Sequence, residues 1–296
     1  MAQWQQGNKG APKPPLRPRE LEDGLNFYIY HPLAWRLALI FARTPLTPNM
    51  VSVIGAGFVV AAAYAYAQPG WPVTAALGMG LHMFWHVVDG ADGDLARITG
   101  KSSPIGEMVD GICDYTGHIV LYLVLGWLLS AQIGGWGWGL MGLAGASHIA
   151  QTNHVEVQKR SYQWWVYDRA WLGNTHKNAD AATRRGILAA LAGFYLGVAD
   201  WFSGGAKSID AAVADAAHNP ARRERIRTLA REQAPPLLAM LKWLGPNPRA
   251  PILGLSMLAG SPLWYFLYLI VALNALLGWS VHVHNAAARR LLAELG

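Results

Sequence analysis

Long apolar runs alternate with short polar turns along most of this chain. Runs of membrane-spanning length cover about 48–67, 72–96, 105–130 and 134–154, with a shorter one at 250–261 and a last one at 263–285, which predicts six transmembrane helices. Two other apolar stretches read differently. Residues 28–45 (YIYHPLAWRLALIFARTP) interleave apolar positions with Arg36 and Arg43, the pattern of an amphipathic helix on the membrane surface, which Pro45 and Pro48 separate from the first span. Residues 187–203 are apolar but bracketed by Arg184 and Arg185 before and by Lys207 and Arg222 to Arg231 after. Crossing would leave one basic run on the far side, so this stretch predicts an interfacial helix.

The expected fold class is therefore all-α: an integral membrane protein with six transmembrane helices and amphipathic helices on the cytoplasmic side. Its organisation reads as a disordered basic tail (1–27), an amphipathic juxtamembrane helix (28–46), transmembrane helices 1–4 (47–154), a cytoplasmic or interfacial insertion (155–249), and transmembrane helices 5–6 with the C-terminal end (250–296).

Composition agrees. Charged residues are 14% of the chain, against about 25% in soluble domains, and 53% of residues are hydrophobic. The polar, proline-rich first twenty residues hold no apolar run, so they read as a tail and not as a signal peptide. The single cysteine, Cys113, excludes an intramolecular disulfide. The turns at 67–72, 130–138 and 259–264 hold no Lys or Arg, although the net charge is +6. By the positive-inside rule both termini then lie in the cytoplasm, and the protein belongs in the inner (cytoplasmic) membrane as a multi-pass chain. Trp71, Trp136, Trp138 and Trp264 fall in those uncharged turns, as an interfacial belt would.

Six acidic residues interrupt this apolar background within 89–114. Asp89 and Asp92 share one helix face, and Asp110 and Asp114 share a face of the next helix. Four bare carboxylates in a bilayer would cost on the order of 10 kcal/mol even on a lenient scale. A divalent metal site at the membrane edge is the economical explanation, with the cytoplasm as the side it faces. Asp94 and Glu107 lie off the shared faces and read as solvated caps.

In full the segment is Asp89-x-x-Asp92-Gly93-x-x-Ala96-Arg97, eight residues, then Gly106-x-x-x-Asp110-x-x-x-Asp114. This resembles the signature of the CDP-alcohol phosphotransferases (CDP-alcohol phosphatidyltransferases), membrane enzymes that include phospholipid headgroup transferases. The likeness extends to TPLTPNMVS (44–52), similar to the family's entry into its first span; residues 155–250 match nothing usable.

The resemblance implies transfer of a substituted phosphate from a CDP-linked donor to an alcohol, with release of CMP, in phospholipid biosynthesis. It points to CDP-diacylglycerol as lead donor. A soluble CDP-polyol or CDP-aminoalcohol donor, with a lipid or polyol acceptor, stays open. It also implies that Asp114 is the general base. Asp89, Asp92, Asp110 and Asp114 suit Mg²⁺ or Mn²⁺, and two ions between facing carboxylate pairs would clamp a diphosphate. Gly93 and Gly106 leave room for nucleotide, or else pack helices closely. Ala96 keeps that face low, and Arg97 offers planar donors to phosphate oxygens. Asn49 and Ser52 either touch nucleotide or, for Asn49, cap the first span.

Signals outside the motif are weaker. His82 and His86 read as packing or hydrogen-bonding residues, because hard metals do not need imidazole. His118, one turn after Asp114, either orients it or does not. His148 and His154, with Asn274, His282 and His284 of the last span, are candidates for an acceptor pocket. Arg222 to Arg231 read as a solvated or headgroup-facing helix face, and Trp164, Trp165 and Trp171 as anchors of an interfacial segment. Expected partners are the donor, the alcohol acceptor, membrane lipids and a second copy in a homodimer, with no nucleic acid. A cation transporter with an intramembrane acidic site is the rival from another class. It accounts for the carboxylates but has no use for Gly93, Ala96, Arg97 and Gly106 at these offsets.

Overall fold

The structure, a computed structural model, describes residues 14, 17–169 and 204–295, except for the side chains at 104, 105 and 107. The described residues are helical, with no strand among them. They divide into two compact units, residues 1–124 and 125–296.

The first unit holds α1 (His31–Phe41), α2 (Pro48–Ala67), α3 (Val73–Thr99) and most of α4 (Pro104–Ile133). Local chemistry sets the ends of these helices. Thr47 caps α2 by accepting a hydrogen bond from the Met50 amide at 3.3 Å, and Pro48 occupies the first turn, where its missing N–H costs nothing. The cap is thus Thr47, and Asn49 lies inside the helix. Gly100 ends α3 in the left-handed region at φ 66°, where a side chain would be strained, and Lys101 N–H donates to Ala96 O at 2.9 Å.

Tyr30, Ala34 and Ala38, one turn apart, bury themselves against Val87, Val88, Ala91, Leu95 and Ile98 of α3. A Cβ on Gly90 would come within 3.0 Å of Ala34 Cβ, so α1 and α3 approach closely. The opposite, apolar side of the entry segment and α1 remains exposed at Tyr28, Ile29, Leu33 and Ile40. Because α1 takes one face of α3, the face carrying Asp89 and Asp92 is left for α2 and α4. Part of the expected disordered tail is ordered: Arg19–Leu21 make a 3₁₀ turn with Leu21 buried, and Asn26–Tyr30 wind into α1. The remainder of that tail and the helix expected at 187–203, with Trp171, lie outside the described residues.

The second unit contains the end of α4, then α5 (Trp136–Tyr167), α6 (Gly204–Asp215), α7 (Pro220–Leu244), α8 (Arg249–Leu258) and α9 (Leu263–Leu295), the last with a π-helical stretch at Tyr268–Leu273. α5 runs unbroken past the expected boundary at 154. Its later turns pack with α6, α7 and α9 around Ile209, Val213, Ile226, Leu229, Leu238, Leu241 and Leu291. The described part of the expected insertion therefore forms a helical bundle together with α5 and α9.

Two expectations on this bundle change. Arg223 and Arg227 each donate to Asp168 at 2.6 Å, which holds the Asp168 carboxyl below its ordinary range, so this part of the basic run binds α7 to the end of α5. Trp165 is buried and donates to Asp210 at 2.6 Å, so it anchors the bundle interior.

Among the described residues, three helices are long and apolar enough to cross a membrane: Pro48–Ala67, Met108–Ile133 and Leu263–Leu295. α3 and α5 exceed that length but carry the buried polar residues described below. α8, at the expected short span, has 10 residues, or about 15 Å of helix. Trp71, Trp136, Trp138 and Trp264 are all exposed.

Candidate active site

On α3, residues 85, 89 and 92 fall at helical spacing on one face, and on α4 so do 110 and 114. The two faces meet. Asp89, Asp92 and Asp110 each offer a carboxylate oxygen such that all three oxygens lie within 4.8 Å of one another. Asp89 also comes within hydrogen-bonding reach of Asp114, and Asp92 within reach of Asp110. Like charges this close repel strongly unless a cation or shared protons intervene. An all-oxygen donor set of this size fits a hard divalent ion.

Neighbouring side chains fix the geometry. Ser52 of α2 donates its hydroxyl to Asp92 Oδ2 at 2.6 Å, which orients that carboxylate. Trp85, one turn before Asp89, donates its indole N–H to Asp114 Oδ1 at 3.2 Å and leaves the other oxygen free of that bond. The ring nitrogen of His118 lies 2.8 Å from the main-chain oxygen of Asp114, a contact within the helix that does not bear on the carboxylate. His82 and His86 are buried in a ring cluster, with His86 stacked on Tyr30 at 4.8 Å, outside the metal-capable group.

Gly93 sits beside this cluster. A Cβ there would meet only the Arg97 guanidinium, at 3.5 Å, which is ordinary contact. Helix packing therefore does not demand glycine at 93, and a role in leaving room above the helix fits better. At Gly106 a Cβ would lie 3.3 Å from Ser103 Oγ and 3.6 Å from Asn49 Oδ1, so Asn49 borders the second half of the motif. Ala96 is half-buried on the same α3 stretch.

Asp94 departs from expectation. Its side chain is 1% exposed, not solvated, and its Oδ1 accepts from Arg97 Nη2 at 2.5 Å and from Arg17 Nη2 at 2.9 Å. Burial lowers the pKa of Arg17, and the Asp94 carboxylate opposes that effect. Glu107, its companion in the expectation, is one of the positions whose side chain is not described.

His154, Asn274 and His284, the acceptor-pocket candidates, lie in the second unit. There His154 Nε2 is 2.9 Å from Ser280 Oγ, Asn274 donates to Ser147 at 2.9 Å, and Gln151 donates to Asn274 Oδ1 at 2.8 Å. They hold helices together.

Trp85 and Arg17 border the candidate site and were passed over by pattern reading, which took Asp94 for a solvated cap. For Trp85 and Asp94 the helical spacing to Asp89 and Arg97 was a usable signal. Arg17 lies 77 residues from its partner, and no local pattern reports such a contact.

A family profile described as CDP-alcohol phosphatidyltransferase matches residues 45–203. An uncharacterized class-I CDP-alcohol phosphatidyltransferase family protein of Schizosaccharomyces pombe is 36% identical over 96 residues, 29% of this chain. The match spans 24% of that relative's length.

Proposed function

The chain belongs to the CDP-alcohol phosphatidyltransferase family, and we propose that it transfers a substituted phosphate from a CDP-linked donor to an alcohol and releases CMP. One observation carries this reading: facing helices bring three carboxylate oxygens within 4.8 Å of one another beside a glycine that packing does not require.

Asp89, Asp92 and Asp110, with Asp114 completing the set, would hold Mg²⁺ or Mn²⁺ as a pair of ions. When bound, that pair supplies charge neutralisation and Lewis-acid polarisation of a diphosphate. The remaining chemistry belongs to the side chains. Gly93, Ala96 and Gly106 admit the nucleotide, Asn49 borders it, and Arg97 donates to phosphate oxygens. Asp114 accepts the proton of the acceptor hydroxyl on the oxygen that Trp85 leaves open. The acceptor oxygen bonds to the phosphorus bearing the alcohol group, the bond from that phosphorus to the bridging oxygen breaks, and CMP departs with the bridging oxygen. The Trp85 N–H keeps the carboxylate turned toward its task, as positioned bases require.

CDP-diacylglycerol is the proposed donor. The exposed apolar side of α1, packed through its other face on the motif helix, suits a site whose donor keeps its tails in the bilayer. The proposed setting is the inner membrane, with six crossings by α2, α3, α4, α5, the 250–261 segment and α9. Both termini and the motif face the cytoplasm, and two copies associate as a homodimer. The 250–261 segment is the crossing that labelling of single introduced cysteines should address first, because α8 alone is half the needed length.

The test is CMP release by purified protein in detergent with Mg²⁺, CDP-diacylglycerol and a panel of polyols, beside Asp114→Asn. Acceptor-dependent CMP, reduced ~10²- to 10⁴-fold in the variant, is expected for loss of a general base. CMP release only from soluble CDP-alcohols would overturn the lipid donor, and none from either donor class would overturn the activity.

A further inference from the structure

Arg97 cannot act alone as the positive charge of this site. Its guanidinium lies over Gly93, with Nη2 and Nη1 3.5 and 3.7 Å from where a Cβ would be, and it is held there by the bond to Asp94. That bond positions the group but also cancels it, since one buried carboxylate faces one guanidinium. A neutral pair is a poor partner for a diphosphate.

Arg17 changes this balance. It reaches the same Asp94 oxygen, so two guanidinium groups share one carboxylate and Asp94 no longer opposes Arg97 alone. Among the described residues Asp94 Oδ2 is buried without a hydrogen-bond partner, and the carboxylate is oriented by these arginines through Oδ1. Glu22 also faces Arg17, more weakly than Asp94 does, and its carboxylate lies 3.0 Å from His31 Nδ1. Arg17 is mostly buried and Arg97 about half exposed, so Arg97 presents its charge outward while Arg17 shares Asp94 with it from behind.

We propose that Arg17 is a positioning and charge-supplying residue of the nucleotide site, which restores through Asp94 the anion affinity of Arg97 that Asp94 would otherwise cancel. The N-terminal segment is then a working part of the site, and the ligand it serves is the diphosphate of a nucleoside diphosphate. This inference rests on the reading of the carboxylate helix pair as a CDP site.

Equilibrium dialysis of labelled CDP against the full-length protein in detergent with Mg²⁺ tests it. Arg17→Ala should bind about tenfold more weakly and with a smaller dependence on salt, whereas Arg17→Lys stays close to the unaltered protein. Asp94→Asn keeps an oxygen acceptor for both arginines and removes the negative charge, so it should bind at least as tightly. The decisive variant is Arg17→Ala with Asp94→Asn, whose charge again sums to that of the unaltered site. It should recover binding to within about threefold, which a merely structural role for Arg17 does not predict and a misfolded protein could not show. Unchanged affinity in Arg17→Ala, or a double variant no better than Arg17→Ala, would overturn the role of Arg17 alone. No CDP bound by the unaltered protein would overturn the site reading beneath it.

Discussion

Both units of this protein bury polar side chains between apolar helices, but they do so in opposite ways. In the second unit the buried groups are mostly neutral and complementary, with the buried Arg249 donating to Gln151 and Thr152. Gln151, Asn274 and Ser147 exchange hydrogen bonds, and His154, Ser280 and His284 form a second chain. Donors face acceptors through most of this network, and among the described residues His154 Nδ1 is the exception within it. In the first unit Asp89, Asp92, Asp110 and Asp114 face one another, acceptor against acceptor. The Ser52 hydroxyl donates to Asp92 and the Trp85 indole to Asp114. Repulsion among facing carboxylates is what a bound cation would relieve.

Substitutions should sort along that line. Removing one metal-facing carboxylate, as in Asp92→Asn or Asp110→Asn, should cut CMP release by ~10³-fold, while thermal unfolding without metal shifts upward as repulsion is relieved. A fall in metal-free stability would contradict the like-charge picture. Trp85→Phe keeps the ring and loses the donor, and should lower kcat by ~10-fold with KM little changed, because the hydrogen bond to a charged group is lost at the base alone. An equal effect on KM would mean that the indole serves binding.

The second unit should respond in stability, not in chemistry. Asn274→Ala, which removes one partner each from Gln151 and Ser147 while Gln151 keeps Leu269 O and Ser147 keeps Leu143 O, should cost about 1 kcal/mol on unfolding. Activity per folded molecule should stay within about twofold, since nothing that the residue touches is reactive. A pH-dependent effect concerns Asp210, whose carboxyl burial pushes up to about 6 from 3.8 despite hydrogen bonds from Trp165 and Ser161. The folded state then holds this proton more tightly than the unfolded one. Stability from this group is full below about pH 4 and falls as pH rises through about 6, by an upper limit of about 3 kcal/mol. Asp210→Asn should flatten that decline in pH-dependent melting, and an unchanged slope would remove Asp210 as its source.

Much of this architecture was readable before any coordinates. The helix class and the first and third spans follow from runs of apolar residues longer than a globular core helix needs. The convergence of the aspartates follows from 3- and 4-residue spacing, because a helix face is a local property. What pattern could not supply is long-range. Arg17 meets Asp94 across 77 positions, so Asp94 looked like a solvated cap when it is a buried counter-charge. Trp165 looked like an interfacial anchor because its partner, Asp210, lies 45 residues on. Residues 155–167 looked like the start of an insertion because the apolar pattern fades there, although the helix continues on packing from α7. Hydropathy reports where a chain meets lipid. It does not report where polar helices meet each other.

The account turns on an acidic helix pair that requires a cation. Titration of the purified protein with Mn²⁺, followed by electron paramagnetic resonance of the free ion, measures that requirement directly. Tight binding of about two ions per chain is predicted, abolished in the protein carrying Asp89→Asn with Asp92→Asn and unchanged in Asn274→Ala. Equal binding in the double aspartate variant would place the metal elsewhere and contradict the account.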